Sequence, residues 1–366
     1  MRFLNTLALS LSLASPLAFG QLTPERISVE TMPSPGANWF VAKSGGGARI
    51  FDAESGEMLG QLSLSDWTPA VTMWNPREEF YAAESYFSRG VHGERTDMVT
   101  IYDFENLSPI AEVIIPNHMA RLGVRRHLAM LNSGRHLVVH NINPGHSVSI
   151  VDVQDRVFVY ELMTPGCAVN MAVAENDFLQ ICGDGTLQLI QLDLSGFEQN
   201  RARSDVFFSV QDDAVFDRTA STADGWLLVT HSGELFEVSV SGTDINIGEG
   251  WDIPTDGAEG WRPGGRGEFL SVHHDTGLLY IAMHEGGIDT HHDRGTEIWV
   301  IDLNTQRLLK RLEMEEPIGT LLVTQEANPK LIVGSFGDLG TLVFDALTFK
   351  PERAIQAPGA QMFEDF

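Results

Sequence analysis

The amino-acid sequence predicts an all-β fold, a seven-bladed β-propeller, and three observations support this. A sequence pattern that consists of an apolar strand, an aspartate, a turn and a second strand recurs along the chain. No long segment shows the apolar period of about 3.6 residues that marks an amphipathic helix. The 35 glycines suit a chain with many tight turns. An all-β repeat of roughly 40–50 residues is typical of one four-stranded propeller blade.

The clearest copy of the repeat is EIWVIDLNTQRLLKRLEM, residues 297–314. Its first strand ends at Asp302, and Asn304 and Thr305 supply turn chemistry because such side chains bond nearby backbone amides. Six further copies share an aspartate or serine at this place: Asp52, Asp103, Asp152, Asp193, Ser239 and Asp345. The spacings of 41 to 63 residues leave room for two more strands per repeat. In the longest spacing we interpret residues 257–267 as a loop between blades.

The N-terminus has the pattern of a secretory signal peptide over residues 1–20. Arg2 gives a positive start, an apolar run follows, and Ala18 and Gly20 are small residues at the cleavage positions. The apolar run is too short for a stable membrane span. We therefore expect residues 21–366 to form a single propeller domain that is exported to the periplasm and does not insert into a membrane.

The chain is strongly acidic, with a formal net charge of −26. This charge argues against nucleic-acid binding, which depends on neutralisation of phosphates by Lys and Arg. It favours solubility, and it can attract cationic ligands.

The two cysteines, Cys167 and Cys182, lie within one repeat. In an exported chain the simplest interpretation is a disulfide, which would close a loop of roughly 15 residues and contribute about 3 kcal/mol. A reactive or metal-bound pair is the alternative, although no second pair of ligands stands at zinc spacing.

Histidines cluster near acidic residues in the sixth repeat. The cluster comprises His273, His274, Asp275, His284, His291, His292 and Asp293. Histidine and aspartate together can bind a metal or move protons. The alternative is a set of solvated loop residues, which we favour, and we predict no metal site.

Two unusual runs are candidates for a partner interface. The first contains Arg89 and Arg95 with Asp97, and it suggests either an internal brace or a site that faces a partner. The second contains Trp261 and Arg262 between glycines, which would suit either a partner anchor or a plug at the end of a blade. The sequence contains no Gly-x-Ser-x-Gly motif of serine hydrolases, no His-Glu-x-x-His motif of zinc proteases, no P-loop and no dinucleotide-binding fingerprint. We therefore predict no catalytic residue in this chain.

Several of these runs resemble one family. FSRGVHGERTDMVTIYDFENLSPIAEVIIP at residues 87–116, DGAEGWRPGG at 256–265, the repeat with the cysteine pair, and TEIWVIDLNTQRLLKRLEM at 296–314 are similar to the heavy subunit of the methylamine and aromatic amine dehydrogenases. The similarity extends from about residue 40 to the C-terminus.

The resemblance implies a periplasmic heterotetramer of two heavy and two light subunits. The light subunit carries tryptophan tryptophylquinone, made from two of its own tryptophans, and oxidises a primary amine to an aldehyde and ammonia. A cupredoxin or c-type cytochrome accepts the electrons. This chain would be the heavy subunit, a seven-bladed propeller without a covalently bound cofactor.

By position, Trp67 matches an aromatic residue of the heavy subunit that lines the substrate channel to the quinone. A tryptophan of the propeller core is the alternative for this residue. A stand-alone periplasmic propeller that serves as a binding scaffold without catalysis is the alternative for the whole chain.

Overall fold

The computed structural model describes residues 31–366 except 67, 69, 117 and 358. The compact unit Met32–Phe366 consists of seven antiparallel sheets of four or five strands, each of which is one blade. The predicted seven-bladed propeller is therefore confirmed. The predicted signal peptide lies outside the described residues.

The strands, numbered in chain order, are β1 Trp39–Ser44, β2 Gly47–Asp52, β3 Met58–Ser63, β4 Val71–Trp74, β5 Glu79–Phe87, β6 Arg95–Asp103, β7 Ser108–Ile115, β8 His118–Met119, β9 Leu128–Met130, β10 His136–Asn143, β11 Ser147–Asp152, β12 Val157–Met163, β13 Cys167–Ala172, β14 Asp177–Cys182, β15 Leu187–Leu192, β16 Glu198–Arg203, β17 Ala220–Ser221, β18 Trp226–Val229, β19 Glu234–Ser241, β20 Asp244–Ile247, β21 Trp251–Asp252, β22 Trp261–Pro263, β23 Leu270–His273, β24 Leu278–Glu285, β25 Glu297–Asp302, β26 Arg307–Glu313, β27 Ile318–Val323, β28 Lys330–Ser335, β29 Thr341–Asp345, β30 Pro351–Ile355 and β31 Met362–Asp365. Two 3₁₀ turns cover Asn75–Arg77 and Arg125–His127. Neither these turns nor any other helix in the described part of the chain is long and apolar enough to cross a membrane.

The two ends of the chain meet in the first blade. Its strands run in the order β3, β2, β1, β31, and Phe40 of β1 pairs with Asp365 of β31. The last strand of the chain therefore completes the sheet that the first three strands begin. Strands at the inner edges of adjacent blades contact one another, as β27 contacts both β23 and β31, and these edges surround a central channel.

The repeated aspartate is a turn device between the third and fourth strands of a blade. Asp302 accepts a hydrogen bond from the Asn304 amide at 2.9 Å and one from the Thr305 hydroxyl at 2.8 Å. The same side-chain bond to an amide two or three residues on recurs at Asp52, Asp103, Asp152, Asp193 and Asp345. Ser239 differs, because it lies inside β19 opposite Asn246.

Apolar residues fill the spaces between blades because alternate side chains of a strand point to opposite faces. Val99 and Ile101 of the second blade pack with Leu137 and Val139 of the third. In the fourth blade Cys167 and Cys182 stand opposite each other on β13 and β14 and form a disulfide, as predicted.

The interpretation of residues 257–267 as a loop is only partly correct. Trp261–Pro263 forms β22, which pairs with Met283, His284 and Glu285 at the end of β24. Strand β23 pairs with the other half of β24, so the innermost strand of the sixth blade is split in two.

Candidate functional site

The connections between strands divide the propeller into two faces. In a four-stranded antiparallel blade, the turn from the second to the third strand and the link to the next blade lie at the same end. We call this end the loop face and the opposite end, which carries the aspartate turns, the turn face. The longer connections on the loop face cover residues 64–70, 88–94, 204–219, 253–260, 286–296 and 336–340.

The structure brings the predicted interface residues to the loop face but places them on two different blades. Arg89 is exposed in the connection 88–94, and Arg95 and Asp97 begin β6 of the second blade. Trp261 and Arg262 form β22 of the sixth blade. Trp67 lies outside the described residues, although the flanking residues of its connection are on this face.

Asp97 and Arg95 form a buried brace between the second and third blades. The Asp97 carboxylate accepts hydrogen bonds from the Ser85 hydroxyl at 2.5 Å, from Arg95 Nε at 2.7 Å and from the Met119 amide at 2.9 Å. Arg95 also donates to the Met119 carbonyl at 2.8 Å. Asp97 is only 2% exposed, so these contacts match the internal-brace interpretation of the pair.

Glu84 holds the connection 64–70 in the same way, and the sequence pattern does not predict this role. The carboxylate is fully buried and accepts hydrogen bonds from the Ser65 amide at 2.6 Å and from the hydroxyls of Tyr86 and Tyr102 at 3.1 Å. Burial, followed by the negative charge of Glu84, raises the pKa of Tyr102. Glu84 carries no sequence signal because it stands in an apolar strand and its main partner is a backbone amide.

Large apolar side chains are exposed on the loop face, as Leu194 is on the turn face at 78%. Val91 is 71% exposed, Ile288 82%, Phe336 62% and Leu122 57%, and they come from four different connections. Exposed apolar side chains are ordinary when they are scattered, and they mark an interaction surface where they form a contiguous patch.

Trp261 packs against its own blade. Its ring lies 5.6 Å from that of Trp299, and the Arg311 guanidinium carbon lies 4.7 Å from the Trp261 centroid and 4.8 Å from that of Trp299. Arg311 is held by two hydrogen bonds to Glu297, of 2.6 and 2.9 Å. Trp261 is therefore stacked at the end of the sixth blade, while Arg262 is half-buried beside it.

The predicted histidine cluster divides into separate environments. His273 is buried, and its ring nitrogens lie 2.9 Å from the Thr276 hydroxyl and 3.1 Å from the Glu326 carbonyl. His284 is also buried, with Nε2 2.9 Å from the Thr290 hydroxyl. The interpretation of these two residues as solvated loop histidines is therefore wrong. Across the described residues, no group of three or more His, Cys, Asp or Glu is placed to hold a metal ion.

His291 and His292 do lie in a loop, and they stack beside a cavity. The rings of His231 and His291 are parallel with centroids 4.1 Å apart, and His292 lies 4.1 Å from His291. Burial, followed by the charge of His291, lowers the pKa of His231. The cavity beside them has a volume of about 620 Å³ and also contains Phe216 and Arg218.

An ion network crosses the central channel. Arg125 bonds to Glu364 and Asp365 of the closing strand, and its backbone amide donates to Glu268 at 3.3 Å. Arg218 Nε lies 3.5 Å from the same Glu268 carboxylate. Burial disfavours the Arg125 cation, but Glu364 and then Asp365 outweigh it and raise the pKa of Arg125. The network joins the inner edges of four blades.

Comparison with known proteins assigns the chain to a family. The family model of the methylamine dehydrogenase heavy chain matches residues 43–362. The chain belongs to this family. It is 25% identical to the methylamine dehydrogenase heavy chain of Methylorubrum extorquens over 77% of this chain and 69% of that protein. It is 24% identical to the corresponding protein of Methylophilus methylotrophus over 84% of this chain and 76% of that protein.

Solved structures support the fold alone. The periplasmic gluconolactonase of Pseudomonas aeruginosa superposes with a TM-score of 0.63 at 13% identity, covering 90% of this chain and 98% of that chain. A protein of unknown function from Desulfotomaculum acetoxidans also has a TM-score of 0.63, at 12% identity, over 89% of this chain and 98% of that one. The family match, by contrast, makes this chain a subunit of an amine dehydrogenase complex.

Proposed function

We propose that this chain is the heavy subunit of a periplasmic quinoprotein amine dehydrogenase. The complex would oxidise a primary amine with water to an aldehyde and ammonia, and two electrons would pass to a cupredoxin or c-type cytochrome. The observation that carries the proposal is the family match over residues 43–362 of a seven-bladed chain. The quinone, tryptophan tryptophylquinone, would belong to a light subunit in an assembly of two heavy and two light subunits.

In this proposal the loop face holds the light subunit. The connections on this face expose apolar side chains such as Val91 and Ile288. Arg89 is exposed on the same face, and Arg262 is half-buried on it. We assign both to the interface as contact residues, with Trp261 packed behind Arg262. Arg95 and Asp97 contribute by holding Met119 of β8 to the second blade.

The substrate channel is assigned to the connection 64–70, which contains Trp67. Hydrogen bonds from the Ser65 amide to Glu84 at 2.6 Å and from the Ser65 hydroxyl to the Ser85 carbonyl at 2.5 Å fix the start of this connection. The Thr68 hydroxyl donates to the Ser65 carbonyl at 2.7 Å, which is a further bond within this connection. A braced connection suits a residue that narrows a channel, because an aromatic wall selects substrates only if its position is defined.

The decisive experiment is purification from the native periplasm, with subunit masses and the visible spectrum recorded on the same sample. The proposal predicts a second, smaller chain and a quinone absorption band that bleaches when a primary amine is added. A colourless single chain that gives no spectral change with any amine would refute it. That result would favour the stand-alone binding scaffold.

A further inference from the structure

The loop face opens into the central channel through a basic mouth. Arg218, Arg266 and Arg294 line it, together with one carboxylate, Asp217. We call these four residues and the cavities they line the channel mouth. Two cavities, of about 620 and 710 Å³, share Asp217, Arg218 and Arg266. Three arginines against one aspartate concentrate positive charge in a chain whose formal net charge is −26.

Arg218 is the anchored member of the mouth. It is buried, and Nη2 donates to the carbonyls of Arg266 at 2.9 Å and Gly123 at 3.3 Å. Its Nη1 lies 2.6 Å from Asp217 and its Nε lies 3.5 Å from Glu268, yet neither nitrogen makes a hydrogen bond of good geometry within the described part of the chain. The guanidinium is thus fixed in place with donor capacity left over.

Arg294 and Arg266 add further positive charge to the mouth, and within the described residues neither side chain forms an ion pair with a carboxylate. The Arg294 guanidinium carbon lies 3.3 Å from the centroid of the Phe336 ring, which is itself 62% exposed. Burial, followed by the charge of Arg266, lowers the pKa of Arg294. Burial, then the charges of His291 and Arg266, lowers the pKa of His292. Cations that disfavour one another around a cavity are stabilised when an anion enters it.

We propose that the channel mouth binds a small dianionic oxyanion compound, a dicarboxylate or a phosphate ester. The guanidinium group of an arginine can donate two parallel hydrogen bonds to the oxygens of a carboxylate or phosphate. The cavity volumes fall within the roughly 300–1,000 Å³ of small-molecule sites. Phe336 and Leu122 line the larger cavity and offer apolar surface to the body of the ligand. This site goes beyond the proposed function and does not depend on it.

The test is calorimetric titration of the full chain with succinate and with inorganic phosphate, at an ionic strength held constant with sodium chloride. Acetate is the monoanion control. The test variant is Arg266→Gln/Arg294→Gln, which removes two charges from the mouth. The matched control is Arg307→Gln/Lys310→Gln, which removes two charges from the exposed outer strand of the sixth blade.

We expect saturable binding of at least one dianion, weaker binding of acetate, and affinity reduced by roughly tenfold or more in the test variant, because charge-assisted hydrogen bonds are lost. The control variant should bind like the wild type. A preference for succinate would favour a dicarboxylate ligand, and a preference for phosphate would favour a ligand that carries a phosphate group. No saturable binding, or equal losses in both double variants, would overturn the proposal. An unchanged melting temperature of the unliganded test variant confirms that it folds.

Discussion

Removal of the Asp97 carboxylate should destabilise the propeller far more than removal of an exposed carboxylate with an equally short ion pair. In Asp97→Ala the Ser85 hydroxyl and the Met119 amide lose their acceptor, and Arg95 loses its carboxylate partner and keeps only neutral acceptors, the Met119 carbonyl at 2.8 Å and the Ser85 hydroxyl at 3.3 Å. The Arg95 side chain is 16% exposed, so its charge would remain largely buried. Breaking a buried pair by removing one partner costs about 3–5 kcal/mol.

The matched control is Asp184→Ala. Asp184 lies 2.6 Å from Arg203, but its side chain is 59% exposed, and ion pairs of this kind contribute about 0–1 kcal/mol. Both carboxylates lie near the loop face, so the comparison isolates burial from distance. Asp97→Asn should fall between them, since the amide retains one acceptor oxygen and loses the charge.

The assay is urea unfolding followed by tryptophan fluorescence and far-UV circular dichroism. With a denaturant dependence of about 3 kcal/mol per molar urea, a loss of about 3 kcal/mol lowers the midpoint by about 1 M. Asp184→Ala should lower it by less than about 0.3 M on the same scale. Equal midpoint shifts for the two alanine variants would refute the argument that burial determines how much the Asp97 contacts contribute to the free energy of unfolding.

Four further predictions concern the disulfide, acid stability, the proposed substrate channel and the proposed interface. Removing the Cys167–Cys182 bond with the variant Cys182→Ala should cost about 3 kcal/mol of stability, and an unchanged melting point would contradict it. The pKa of His140 is lowered from 6.5 to about 3, first by burial, so the unfolded state takes up the proton as the pH falls through this window and stability declines. His140→Leu should therefore flatten the fall in melting temperature below pH 6.5, and a slope equal to that of the wild type would exclude this cause. Trp67→Ala should change the relative kcat/KM across a series of amines with little change in melting temperature; wild-type ratios would remove Trp67 from the channel. Arg262→Ala should weaken light-subunit association measured by sedimentation, whereas full assembly at low protein concentration would place Arg262 outside the interface.

The repeat could be predicted from the sequence because each aspartate acts locally. Asp302 needs only the amides and hydroxyls of the next three residues, so its chemistry is visible in a short window. The disulfide could be predicted because the chain has only two cysteines. Ser239 shows the limit of the pattern, since its blade has the strand pair but makes its turn later, at Ser241 and Asp244.

The candidate site depends on contacts between residues that are far apart in the sequence, so a short stretch of sequence does not predict them. Arg125 bonds to carboxylates about 240 residues away, on the strand that closes the ring. Arg218, Arg266 and Arg294 reach one mouth from three connections, and the folded ring alone makes them neighbours. His273 appeared solvated beside a turn, whereas the adjacent blade covers it through the Glu326 carbonyl.

The loop face has two sectors that differ in how its charged side chains find partners. In the second blade the buried carboxylate of Glu84 accepts a hydrogen bond from the Ser65 amide of the connection 64–70, and that of Asp97 accepts one from the Met119 amide of β8. These two carboxylates therefore stabilise the shape of the face. In the fifth to seventh blades Arg266 and Arg294 line a cavity whose lining includes a single carboxylate, Asp217. Their positive charges therefore face the cavity. Because the sectors share no side-chain contact among those described, a substitution in one leaves the bonds of the other in place. The buried braces of the second blade and the arginines that line the cavity can therefore be substituted separately.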